Sequence, residues 1–214
     1  MSDQDEGFAL VAAERRDLAD RLETLTAEQW RTHTLCREWS VRDMAAHLTV
    51  GPTVSIPELG IAMLRSRGSF HRANRLMTER RASASPAELV QTLRDVAGSR
   101  FTPPRTDWRA PLAEVLLHRE DIARPLGGWE RDPAPWTHAL DFLLTGMARG
   151  GFVRASLRGI RFEATDLDWS ANEGPLVRGT AAELGLLMTG REASLPSVTG
   201  DGLDELYVRT RPRS

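Results

Sequence analysis

Lysine is absent from this chain of 214 residues, so every one of its 28 basic side chains is an arginine. Without a lysine there is no Schiff-base chemistry, no attachment point for pyridoxal phosphate and no Walker-type phosphate loop. Cysteine is nearly absent. With Cys36 alone, no disulfide closes within one chain and no thiolate-rich zinc or iron–sulfur site can be built. A bound metal would therefore rest on Asp, Glu and the five histidines, His33, His47, His71, His118 and His138. No apolar run approaches the ~20 residues of a membrane span. Nor is there a block of one charge: the net charge is −2 and the charges are dispersed, which gives no electrostatic footprint for DNA or RNA. The first residues, MSDQDEG, are polar and acidic rather than a secretory signal, so the expectation is a cytoplasmic protein that binds neither membrane nor nucleic acid. The length suits one large domain, or one of about 150 residues with a smaller appendage.

What stands out is Pro111–Leu126, PLAEVLLHREDIARPL. At about 100° per residue, Glu114, His118 and Asp121 fall in one sector of a helix roughly 60° wide. Leu112, Leu116 and Ala123 cover the opposite face, and Val115, Leu117 and Ile122 flank the polar sector. A helix apolar nearly all round is usually buried, and buried carboxylates and imidazoles need a compensating partner. A metal ion is one such partner, and a closed hydrogen-bond network is another.

Around this segment the periodicity is mainly helical. Phe8 to Leu25 is amphipathic, and Thr26 with Gln29 has capping-box form ahead of a short turn. The His33–Trp39 segment reads as a connector in which Cys36 is a small packed side chain. Ser40 opens a helix with Val41, Met44, Ala45 and Leu48 on one stripe, His47 on its flank, and Gly51-Pro52 as its stop. Residues 52–84 are poorly patterned, with a helix expected somewhere in 70–81 and Arg72, Arg75, Arg80 and Arg81 as a solvated face. Ser85-Pro86 starts another helix, and a further one is expected from Ala134 to Arg149, with His138 structural. After Gly150-Gly151 the period drops to two: Ile160–Thr165 and Leu176–Arg178 read as strands. Thr180–Glu183 caps a helix ended by Gly190, and Asp201-Gly202 reads as a hairpin turn before a last strand, Leu203–Val208.

The expected fold is mainly α with an α+β C-terminal part: a four-helix bundle over residues 1–150 and a small α+β domain over 151–214. Short connections make helices antiparallel neighbours with ligands pointing inward, which lets His47 meet Glu114 and His118. Two histidines and a carboxylate are a common set for a catalytic divalent metal, zinc first, with a fourth position left open. Asp121 is placed to orient His118 rather than to bind. The same residues also suit a metal-free buried network.

Thr34–Leu48, TLCREWSVRDMAAHL, and Glu114–Gly127, EVLLHREDIARPLG, resemble the two N-terminal signatures of the mycothiol-dependent maleylpyruvate isomerase family, within the DinB-like metal-binding superfamily. Ile160 onward, through FEATDLDW, VRGTAAELGLLMTGRE and Gly200-Asp-Gly202, resembles that family's small C-terminal domain, which is similar to sterol-carrier-protein folds. The resemblance implies a DinB-like four-helix bundle in which His47, Glu114 and His118 hold a divalent metal, usually zinc. It also implies mycothiol as the thiol cofactor, bound through sulfur at the open metal position. Metal coordination keeps such a thiol as thiolate near neutral pH, able to add to a conjugated double bond, allow rotation and then leave. A substrate carboxylate and a developing enolate need cationic partners, and Arg191, in Thr189-Gly-Arg191, is the candidate catalytic arginine. The implied partners are a small-molecule thiol and an electrophilic substrate, and the implied reaction is isomerisation or S-transfer by a monomer or homodimer. The alternative is a non-catalytic metal- or small-ligand-binding protein of the same fold.

Overall fold

The structure, a computed structural model, describes residues 2–36, 38–191 and 197–210. Arg37 and Glu192, which belong to the two motifs quoted above, lie outside the described residues. By internal contacts the chain divides into two compact units, Met1–Pro103 with His118–Trp129, and Pro104–Leu117 with Glu130–Ser214.

The first unit is a helical bundle. It contains α1 (Asp3–Glu23), α2 (Val41–Thr53), α3 (Ile56–Arg65), α4 (Phe70–Arg81) and α5 (Pro86–Asp95). The second half of α6 (Arg109–Ala123) also belongs to it. Side-chain caps set the starts of these helices. Ser2 with Asp5, Ser40 with Asp43, and Ser85 with Glu88 each form a reciprocal capping box, which satisfies donors that the first turn leaves unpaired. Thr26 and Gln29 make the expected box before a 3-10 turn at Gln29–Arg31. Helix α1 packs on α5, α2 on α4 and α5, and α3 on α4. Val11, Leu18 and Leu22 of α1, Val41, Met44 and Ala45 of α2, and Leu89, Val90 and Leu93 of α5 are buried. Two polar ties reinforce the apolar contacts. The Arg15 guanidinium donates to the carbonyls of Ala97 and Ser99 beyond the end of α5 at 3.3 and 2.9 Å, and Arg119 on α6 pairs with Glu14 on α1 at 2.9 Å.

Helix α2 does not stop at Gly51-Pro52 but runs on to Thr53, with Pro52 inside its last turn. A proline gives up its own donor, and beyond it the Val54 N–H still reaches the Val50 carbonyl. The Thr53 hydroxyl adds a bond to the Thr49 carbonyl at 2.6 Å. The weakly patterned 52–84 stretch holds two helices rather than one. Ser55 caps α3 by accepting from the Glu58 N–H, with Pro57 in the first turn, and Ser69 caps α4 by accepting from the Arg72 N–H.

The second unit carries α7 (Trp136–Leu143), β1 (Arg161–Ala164), β2 (Ser170–Ala171), β3 (Leu176–Gly179), α8 (Ala181–Met188) and α9 (Leu203–Thr210), together with the first half of α6. The strands form one mixed sheet of order β2-β1-β3, antiparallel on one side and parallel on the other, with Phe162 paired to Ala171 and to Val177. The expected alternation holds in β1, where Phe162 and Ala164 are buried and Arg161 is exposed. Helix α8 opens on the Thr180–Glu183 capping box and packs against β1, β3, α7 and α9.

Two expectations for this part are corrected. Residues 203–208 are not a strand. They form α9, with Leu206 buried and Val208 73% exposed, the spacing of a helix face and not of a pleat. Gly202 offers its carbonyl to the Leu206 N–H as the first helical acceptor, and Asp204 and Glu205 suit the positive end of the helix dipole. The helix expected over 134–149 is only α7. After Leu143 the chain turns extended at Thr145 (ψ 161°) and makes a separate 3-10 turn over Gly146–Ala148.

Trp136, 1% exposed, lies over α8 at Gly185, where an added Cβ would come within 2.3 Å of the indole ring. Gly185→Ala should therefore overpack this contact and cost about 3 kcal/mol, in spite of alanine's better helix propensity. Urea denaturation checks it, since a variant as stable as the parent would show that the ring can shift freely. No helix among the described residues is long and apolar enough to cross a membrane.

Candidate functional site

Helix α6 begins beside Asp107, whose carboxylate accepts from the Arg109 N–H and pairs with its guanidinium at 2.7 Å. Those bonds to Arg109 hold the Asp107 carboxyl below its ordinary range. The helix ends in a 3-10 turn, Arg124–Leu126, closed by Gly127 at φ 98°, a conformation that favours glycine. Between these ends α6 carries Glu114 and, one turn later, His118.

The two histidines of the proposed ligand set are together. His47 on α2 is 9% exposed, and its ring lies 4.9 Å from that of His118, edge to face at 88°. Each ring is held at Nδ1. His118 Nδ1 lies 2.8 Å from Asp121 Oδ2, on a fully buried carboxylate. A carboxylate accepts, so in a neutral ring this contact places the proton on Nδ1 and leaves the Nε2 lone pair for a ligand. His47 Nδ1 lies 3.3 Å from the Asn74 carboxamide on α4, and the Trp39 ring packs against His47 at 4.8 Å.

Cys36, half-buried, directs its thiol at the same Asp121 oxygen across 3.6 Å, and the Leu35 N–H donates to the Asp121 carbonyl at 3.0 Å. The connector ahead of α2 is thus tied to α6 at the residue that orients His118. Glu114 is half-buried. Arg191 follows α8 in the second unit, and its Nη1 donates to the Thr189 hydroxyl at 2.9 Å. His138 packs edge to face on Trp108 at 5.0 Å, a structural contact. Among the described residues, no group of three or more His, Cys, Asp and Glu side chains is gathered in metal-ligating geometry.

Trp39 and Asn74 were not selected by sequence reasoning. Trp39 lies inside the first motif and carried a signal in its neighbours. Asn74 lies in the arginine-rich run and carried none. Of the arginines there, Arg75 pairs with Glu38 and Glu79 on the surface, and Arg81 grips Glu58 with two bonds at 2.9 and 3.0 Å, holding that carboxyl below its usual range. The groove between α3 and α4, about 680 Å³ in volume, is lined by Ile61, Ala62, Leu76 and Met77 among others. It is not where the histidines meet.

These features define a helical-bundle protein with a small three-stranded α+β part and two imidazoles brought ring to ring in the bundle. Residues 11–102 match the family model described as the mycothiol maleylpyruvate isomerase N-terminal domain. Two solved structures share the fold, a crystal structure of the mycothiol-dependent maleylpyruvate isomerase and one of a histidine-to-alanine mutant of it. Each has a TM-score of 0.61 at 15% identity, covering 94% of this chain and 93% of the other. No curated protein matches the chain by sequence.

Proposed function

We propose that the chain is a mycothiol-dependent isomerase whose divalent metal, zinc first, is held by His47, Glu114 and His118. The observation that carries this reading is the pair of imidazoles 4.9 Å apart, His47 buried and His118 half-buried, each with a polar partner at Nδ1. A metal-binding histidine commonly donates its second ring N–H to a carboxylate, as His118 does to Asp121. The donor chemistry fits the group. Two imidazoles and a carboxylate are a usual set for zinc with one position left open, and the four-residue step from Glu114 to His118 puts both side chains on one face of α6.

When bound, the metal would lower the pKa of a coordinated thiol and so supply a thiolate for reversible addition to a conjugated double bond. The protein's own part is to position and to shield. Asp121 fixes the tautomer of His118, Trp39 covers one side of His47 with apolar surface, and Arg191 is assigned to a substrate carboxylate by its planar fork. S-transfer would use the same nucleophile on a different electrophile.

Elemental analysis of the purified protein and of His47→Ala tests the reading, alongside an isomerisation assay with mycothiol. The expected result is about one divalent metal per chain, lost in His47→Ala, with isomerisation lost in parallel. Arg191→Ala should raise KM and leave the metal content unchanged. A well-folded, metal-free parent protein would overturn the reading, as would a metal content indifferent to His47.

A further inference from the structure

Helix α4 lies in the segment with the weakest sequence signal, yet it packs on α2 and brings the polar side chain of Asn74 to His47. Its carboxamide is half-buried and lies 3.3 Å from His47 Nδ1. A carboxamide can serve an imidazole both as donor and as acceptor.

We propose that Asn74 is a positioning residue for His47, a role that rests on the metal reading above. A ring that binds metal through Nε2 must carry its proton on Nδ1, and that proton needs an acceptor. The Asn74 Nδ2 group can only donate, which suits a ring whose Nδ1 is bare. A half-turn of the carboxamide presents Oδ1 instead and accepts from Nδ1–H. Asn74 therefore serves the metal-free and the metal-bound tautomers of His47 without moving α4. His118 has no such latitude, because Asp121 only accepts. The two imidazoles are consequently unequal. One is permanently set for metal, and the other is set when the neighbouring amide turns.

Competition titration with a zinc chelator, on the full chain, tests this with Asn74→Leu, Asn74→Ala and Asn74→Asp beside His47→Ala. Leucine keeps the shape of asparagine and removes both polar atoms, while aspartate keeps an acceptor. The expected result is zinc binding weakened about tenfold or more in Asn74→Leu and Asn74→Ala, with Asn74→Asp within about threefold of the parent or tighter. Nitrogen NMR of the zinc-loaded protein should report the His47 proton on Nδ1 in the parent and in Asn74→Asp. Parent-like affinity in both Asn74→Leu and Asn74→Ala would overturn the proposal, as would equal losses in all three variants, which would mark a space-filling role. If His47→Ala binds zinc as the parent does, the metal reading fails and this inference fails with it. If His47→Ala loses zinc while Asn74→Leu and Asn74→Ala do not, only the role of Asn74 fails.

Discussion

Glu14→Ala should lower the stability of the protein by about 3–5 kcal/mol, a large part of the margin of a typical domain. Glu14 is 2% and its partner Arg119 4% exposed, and they meet at 2.9 Å between α1 and α6. Removing the carboxylate takes the 2.9 Å partner from a buried guanidinium that cannot neutralise itself by losing a proton, with Glu120 at 3.8 Å as a longer contact. Breaking the exposed pair of Arg100 with Asp5, at the same 2.9 Å, should cost far less, because water replaces either partner. Burial, not distance, sets the difference. Urea denaturation of both variants checks the contrast, as a lowered midpoint at unchanged slope for Glu14→Ala. A loss below about 1 kcal/mol there would show that water reaches Arg119. Replacing both partners by apolar residues of similar volume should recover most of the loss, since neither charge is then left to be solvated.

The pair also shows what the sequence carried and what it withheld. Glu14 and Arg119 are ordinary charged residues in helical patterns, and nothing local marks them as partners over a separation of 105 residues. The helix starts were legible wherever a cap and an acid three residues on coincide, at Ser40, Ser85 and Thr180. The same signal stood at Ser55-Ile-Pro57-Glu58 and was obscured by what followed. Helix α3 is apolar on both faces, with Ile56 88% and Leu64 81% exposed, so it shows no clean stripe for periodicity to detect. Leu203–Val208 failed for the opposite reason. Six residues are too few to separate period two from period 3.6, and the Asp201-Gly202 signal that suggested a hairpin instead precedes a helix, with the Asp201 carboxylate accepting from the Leu176 N–H at 2.6 Å.

At the site, the i, i+4 spacing of Glu114 and His118 and the i, i+3 step to Asp121 were legible because they lie within one helix. The meeting of His47 with His118 depended on the bundle, and the motif resemblance suggested it. Asn74 depended on where α4 packs, which no local pattern encodes.

Asp121→Ala should weaken metal binding more than any substitution at Asn74, by close to a hundredfold. The Asp121 carboxylate is fully buried and meets His118 Nδ1 at 2.8 Å. In the proposed site it would act twice: as an acceptor it sets the imidazole tautomer with Nε2 open, and its negative charge favours a cation bound at the ring. A neutral amide can do only the first. Asp121→Asn should accordingly fall between Asp121→Ala and the parent in zinc competition titrations, at about a tenfold loss. Folding responds differently. Alanine removes a buried charge together with its acceptor, so the desolvation relieved partly offsets the hydrogen bond lost, and the change in stability should be smaller than that of Glu14→Ala. An Asp121→Ala protein that binds zinc within about threefold of the parent would show that the packing of α6, and not the Asp121 carboxylate, holds His118 for the metal.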